Sequence, residues 1–129
     1  MKLTTQKMRT RARKRCVKLA KDIVKQKANY HCEKCGRSDK QIQGSHILPE
    51  GRYTSLSAEP ENILCLCAGC HMWSSDSWHE NPIASAEWFN EKFPGRYKRL
   101  LKKAQQNIKV DWVKEEINLK KLCEESSKN

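Results

Sequence analysis

Apolar residues near the start of the chain recur at helical spacing. Cys16, Ala20, Ile23 and Val24 form one stripe, and basic residues surround it. The segment 10–28 contains no proline or glycine that would interrupt a helix. We therefore predict an amphipathic basic helix that reaches about residue 28 and is frayed before about residue 8, within an N-terminal arm of residues 1–28.

The pattern changes over residues 29–82, where glycine and proline recur and the helical spacing is lost. The segments 41–48 and 62–66 are the best candidates for strands, and a further helix is predicted to begin near 68–71. This part of the chain is interpreted as a small α+β core with short strands and a long loop.

Helical patterns return over residues 83–129. Pro82 suits a first helical turn and predicts a helix that ends near Lys92, before the break at Pro94-Gly95. Two more helices are predicted over 96–107 and 112–125. The predicted fold class is thus an α+β core flanked by a basic N-terminal helix and C-terminal helices.

The charge of the chain is concentrated at its N-terminus. Residues 1–27 hold eleven Lys or Arg and one acid, whereas the other residues are nearly balanced. Localised basic charge is typical of proteins that bind the phosphate backbone of DNA, although a solvated tail or a membrane surface are alternatives. The candidate nucleic-acid contacts are Arg9, Arg11, Arg13, Lys14, Arg15 and Lys18.

Seven cysteines in 129 residues suggest that a small core is stabilised by a metal. Cys32-x2-Cys35 and Cys67-x2-Cys70 are two CxxC pairs, which together predict a closed four-cysteine structural zinc site. No secretory signal or membrane-spanning run is visible, so the expected compartment is a reducing cytoplasm, without membrane association. Thirty-one residues separate the two pairs, more than a simple zinc ribbon needs.

The residues between and after the CxxC pairs resemble those of the HNH, or ββα-metal, endonucleases. The motif residues here are Gly44-Ser45-His46-Ile47, Asn62-Ile63-Leu64 and Leu66-Cys67-x2-Cys70-His71. The resemblance covers about residues 30–80 and implies a metal-dependent DNA endonuclease with a ββα-metal core. It implies that His46 is the general base, that Asn62 fixes the loop and His46, and that His71 holds a catalytic Mg²⁺, Mn²⁺, Ni²⁺ or Zn²⁺ ion.

Two positions depart from the family pattern. Ser45 stands where an Asp or His ligand is usual, and a hydroxyl is a weak ligand for a hard cation. Ser75 stands where a second ligand often follows His71. His79 would lie about 12 Å from His71 along a continuous helix. If the serine-rich segment 74–77 breaks the helix, His79 is a tentative ligand; otherwise it faces solvent or caps the next helix.

Three functional hypotheses follow. The first is a nuclease acting on duplex or branched DNA, and small stand-alone HNH chains of this shape resemble phage proteins that work in the host cytoplasm. The second is a non-catalytic zinc-stabilised DNA-binding module whose metal site has decayed at Ser45. The third is a RING-like protein adaptor, which the basic N-terminus and the shortage of further metal ligands disfavour.

Overall fold

A computed structural model describes residues 5–39 and 41–127. Helix α1 spans Thr5–Lys27, and strands β1 (Ile42–His46) and β2 (Ile63–Cys67) follow it. Helices α2 (Pro82–Lys92), α3 (Arg96–Gln105) and α4 (Trp112–Ser127) complete the fold. The predicted mixture of helices with a small sheet is confirmed.

The two strands form an antiparallel pair with Ile42 opposite Cys67 and His46 opposite Ile63. All five residues of β2 are buried because helices cover both faces of the sheet. Ile63 and Cys65 pack into a cluster with apolar residues of α1 and α4, whereas Leu64 and Leu66 pack with Phe89 of α2. This burial holds β2 rigidly, so the groups that follow it are well positioned.

Helix α1 is the main support of the sheet. Its buried residues include the predicted stripe Cys16, Ala20, Ile23 and Val24, and it packs along α4 as well as against both strands. The structure describes the helix from Thr5, where the sequence predicts fraying before about residue 8, and residues 5–9 are all exposed.

The predictions for the other elements differ from the structure mainly at the ends. Strand β1 lies within its predicted segment, β2 starts and ends one residue later than predicted, and the helix over 82–92 has the predicted bounds. Helix α3 ends two residues earlier than predicted, and α4 ends two residues later.

The helix predicted near 68–71 is a five-residue π-helical turn, Gly69–Trp73. A longer α-helix does not form here because the tight CxxC turn of Cys67 and Cys70 precedes it and serines, which are poor helix formers, follow it.

Candidate functional site

The side chains of the four cysteines in the two CxxC pairs lie close together. Cys32 and Cys35 lie in the turn after α1, Cys67 ends β2, and Cys70 lies in the π-helical turn. Their four Sγ atoms lie within 4.8 Å of one another, and the Sγ atoms of Cys35 and Cys67 are 3.7 Å apart. Zn–S bonds of about 2.3 Å in a tetrahedron place sulfurs about 3.8 Å apart. The cysteines therefore fit a single metal ion.

Backbone amides point at the sulfurs of this cluster. The N–H of Cys35 donates to Cys32 Sγ, and the N–H of Cys70 donates to Cys67 Sγ, each over 3.5 Å. Burial is the largest influence on the Cys32 thiol and raises its pKa, but the amides of Cys35, Cys67 and Lys34, with the Cys35 side chain, bring the pKa to about 7. Such donors stabilise thiolates, which are the form that binds metal.

Glu33 joins the Cys32–Cys35 turn to β2 through two hydrogen bonds. The Glu33 carboxylate accepts a hydrogen bond from Cys65 N over 2.7 Å, and Glu33 N donates to the Cys65 carbonyl over 2.8 Å. Cys65 itself packs beneath α1, where burial raises its pKa to about 11. It is therefore a core thiol outside the four-cysteine cluster.

Asn62 fixes the loop between the strands. Its side chain is fully buried: Oδ1 accepts from Leu48 N over 2.8 Å, and Nδ2 donates to the carbonyls of Leu48 and Leu56 over 3.1 Å each. Its carbonyl also accepts from Ile47 N over 2.8 Å. One residue thus ties the start of the loop to a turn near its end.

His46 is the last residue of β1 and is half-buried. Its Nε2 lies 2.7 Å from the carbonyl oxygen of Ser57. Because a carbonyl only accepts hydrogen bonds, Nε2 carries the proton and Nδ1 keeps its lone pair in the neutral ring. The loop that Asn62 holds therefore orients His46 and selects its tautomer.

His71 and His79 lie side by side. Their Nε2 atoms are 3.0 Å apart, far closer than a continuous helix would allow. The chain folds back after the π-helical turn, and hydrogen bonds from Trp78 N to the Cys70 carbonyl and from His79 N to the His71 carbonyl hold the return. Metal–nitrogen bonds of about 2.1 Å allow two ligand atoms at this separation on one ion.

Gln43 completes this group, although it was absent from the sequence-based site. Its Oε1 lies 2.7 Å from His71 Nδ1. Ser45, two residues along the same strand, is 1% exposed, and its hydroxyl has no hydrogen-bond partner among the described residues. Strand alternation puts Gln43 and Ser45 on one face of the sheet, and that spacing is the one signal that could have pointed to Gln43.

Lys21 brings positive charge to the same region. A Cβ added to Gly44 would lie 2.5 Å from Lys21 Cγ. Because glycine has no side chain, Lys21 of α1 can pack directly against the backbone of β1. The pKa of His71 lies below its usual value because of burial first, and then because of His79, Lys21 and His46. The sequence offered no signal for this approach of α1 to the site.

Some of the candidate nucleic-acid contacts on α1 lie beside an acidic side chain, and others do not. Arg15 forms a bidentate ion pair with Glu116 of α4, with contacts of 2.7 and 3.2 Å, and Arg13 lies 3.6 Å from Glu50. Lys18 lies 3.8 Å from Asp22 on its own helix. The structure shows no ion pair to a described residue for the exposed side chains of Arg9, Arg11 and Lys14.

No family model, curated protein or solved structure matches this chain. Within residues 5–39 and 41–127, no helix has the length and apolar character needed to cross a membrane. In the same part of the chain, the four cysteines are the one group of three or more Cys, His, Asp or Glu side chains arranged to hold a metal ion. His71 and His79 therefore have no third Cys, His, Asp or Glu side chain placed to share an ion with them among the described residues.

Proposed function

We propose that this chain is a metal-dependent DNA endonuclease of the HNH type, which hydrolyses phosphodiester bonds. The observation that carries the proposal is the arrangement of His46 with an available Nδ1 and the adjacent pair His71 and His79. These groups are held by a two-stranded sheet and a four-cysteine cluster. Rigid positioning of this kind is what phosphoryl chemistry requires of a protein.

His46 is the general base in this proposal. Hydrolysis requires a water molecule to lose a proton as it attacks phosphorus, and a neutral imidazole accepts protons near neutral pH. The Ser57 carbonyl holds Nε2–H, so Nδ1 is the atom that takes the proton. Asn62 supports this role through the loop, since its hydrogen bond to the Leu56 carbonyl is adjacent to Ser57.

His71 and His79 hold the catalytic divalent cation in this proposal, each through Nε2. The ion, when bound, neutralises charge on the phosphate and on the departing oxygen. The two imidazoles would supply only part of the ligands of such an ion, and imidazole suits Ni²⁺ and Zn²⁺ better than it suits Mg²⁺. Ser45 as a further ligand stays a prediction.

The four cysteines hold structural zinc in this proposal. Four cysteine side chains would fill the tetrahedral shell of zinc as thiolates, and the amide donors to Cys32 and Cys67 match a closed structural site. Zinc would join the turn after α1 to the end of β2, and so fix the segment that carries His71.

DNA is the proposed substrate because of the basic surface of α1. Arg9, Arg11 and Lys14 are exposed and available to phosphates, whereas Arg15 is committed to Glu116. The sequence-independent attraction of such residues suits a duplex or branched substrate. Lys21 extends positive charge from this helix to the histidines.

A plasmid-nicking assay with the zinc-loaded protein tests the proposal. Supercoiled DNA is incubated with Mg²⁺, Mn²⁺, Ni²⁺ or added Zn²⁺, with and without a chelator. We expect ion-dependent nicking that His46→Ala reduces by about 10²-fold or more. His31→Ala is the matched control, because His31 is exposed and its ring also contacts a backbone carbonyl, that of Asn29. Equal nicking by wild type and His46→Ala would remove His46 from the mechanism.

A non-catalytic zinc-stabilised DNA-binding module is the second candidate. It is favoured by the lack of a third Cys, His, Asp or Glu ligand beside His71 and His79 in the described part of the chain. This candidate predicts salt-sensitive DNA binding and no strand cleavage with any of the four ions. The same assay, accompanied by a binding measurement, separates the two functions.

A further inference from the structure

We infer that Gln43 is a positioning residue that sets the tautomer and orientation of His71, so that His71 Nε2 is available to a divalent cation. The inference rests on the proposed metal-binding role of His71 and His79. It adds a residue that the motif resemblance does not include. The juxtaposition that carries it is the 2.7 Å contact between Gln43 Oε1 and His71 Nδ1.

Gln43 is held in place by the strand that carries it. It lies in β1 opposite Leu66, whose side chain is buried against α2. Both Gln43 and His71 are half-buried, so the contact is partly shielded from water. A short contact between side chains on different elements orders the His71 ring relative to the sheet.

The direction of this hydrogen bond determines the chemistry of His71. Gln43 presents its amide oxygen, which only accepts, so His71 Nδ1 must donate its proton. In a neutral ring the other nitrogen, Nε2, then has a lone pair. That atom is the one that faces His79 Nε2 at 3.0 Å. Gln43 therefore selects the form of His71 that can bind a cation between the two rings.

The two histidines differ in how strongly the protein constrains them. The His71 ring is fixed through both nitrogens, by Gln43 on one side and by its neighbour on the other. His79 is exposed, and its ring is held by His71 alone among the side-chain contacts that the structure shows. Loss of Gln43 therefore removes the hydrogen bond that joins the pair to the sheet.

The experiment measures the tautomer of His71 directly, by ¹⁵N-detected NMR of the zinc-loaded protein without added cation. We expect the form with Nδ1 protonated in wild type, and a shift towards the form with Nε2 protonated in Gln43→Leu. Gln43→Glu keeps an acceptor at the same place and should keep the Nδ1-protonated form. Gln41→Leu is the matched control, because Gln41 is an exposed glutamine just before the same strand.

Affinity for Ni²⁺ provides the second measurement, because imidazole binds Ni²⁺ well and calorimetry needs no DNA. Retention of zinc is checked by metal analysis after each titration. We expect Gln43→Leu to weaken Ni²⁺ binding by about 10–100-fold, as is usual when the partner of a metal-binding histidine is removed. Gln43→Glu should bind Ni²⁺ at least as tightly as wild type, and Gln41→Leu should bind Ni²⁺ with the wild-type affinity.

Two results would overturn the inference: a wild-type His71 that is protonated at Nε2, or a Gln43→Leu protein with unchanged tautomer and Ni²⁺ affinity. The first result needs no variant, so a folding failure cannot obscure it. Failure of the proposed endonuclease looks different, since the protein would then bind Ni²⁺ in a Gln43-dependent manner without cutting DNA. Cutting with no dependence on Gln43 would contradict the inference alone.

Discussion

Replacement of Asn62 by alanine tests how the fold holds the loop that orients His46. The Asn62 side chain is fully buried and makes three hydrogen bonds, one from Leu48 N and two to the carbonyls of Leu48 and Leu56. Alanine removes all three bonds and leaves the backbone groups of the loop without these partners. The loop then loses the link between its first residues and the turn before Ser57.

The expected loss of stability follows from these contacts. A typical intramolecular hydrogen bond contributes about 1 kcal/mol net, and a buried group left unpaired costs about 1–3 kcal/mol. Water will reach part of the opened site and reduce the total, because the loop lies near the surface. We therefore expect Asn62→Ala to lower the free energy of unfolding by about 3 kcal/mol.

Urea denaturation in zinc-saturated buffer, followed by circular dichroism, provides the measurement. Asn90→Ala is the control: Asn90 is exposed on α2, so its replacement should change the free energy of unfolding by less than about 0.5 kcal/mol. Hydrogen exchange at the amide of Leu48 should also become faster in Asn62→Ala. A loss below about 1 kcal/mol, with normal protection of that amide, would refute the role given to Asn62.

Three further predictions concern the support of the site. Gly44→Ala should lower the free energy of unfolding by about 1–3 kcal/mol, because the new Cβ would meet Lys21 Cγ at 2.5 Å, and Lys21→Ala should restore part of it. Burial raises the pKa of Cys16 to about 11, so the unfolded chain ionises first as pH rises, and urea titrations should show stability falling above about pH 9, less so in Cys16→Ala. Chelation of the metal should abolish the near-ultraviolet circular dichroism of the fold, and elemental analysis should find one zinc per chain, lost in Cys70→Ser.

Each of these three predictions has a result that contradicts it. For Gly44, it is a Gly44→Ala protein as stable as wild type, or a double variant with no recovery. For Cys16, it is an alkaline loss of stability that is the same in wild type and Cys16→Ala. For the cysteine cluster, it is a metal-free protein that keeps its tertiary signal.

Local patterns were sufficient to predict most of the framework. The stripe that includes Cys16 and Ile23 marks the buried face of α1, and Pro82 marks the start of α2. The CxxC spacing predicted a four-cysteine cluster, which the structure brings together. These signals are reliable because helix periodicity, proline geometry and the knuckle depend on residues that are neighbours along the chain.

The partners of the histidines could not be predicted in this way. The serine-rich segment 74–77 indicated that the helix could break, but the backbone hydrogen bonds that bring His79 to His71 after the π-helical turn are not encoded by residue spacing. Arg15 was a candidate phosphate contact, yet the packing of α4 beside α1 gives it Glu116 as a partner 101 residues away. Both outcomes depend on contacts between elements that are distant in sequence.

Local spacing and side-chain chemistry, which are properties of the chain, predicted most of the elements and the four-cysteine cluster. The motif resemblance groups His46, Asn62 and His71 without specifying their hydrogen bonds. The packing of the fold determines which atoms face one another: Ser57 O faces His46 Nε2, and Gln43 Oε1 faces His71 Nδ1. The protonated nitrogen of each ring depends on an acceptor from another part of the fold, so only the packed structure could assign it.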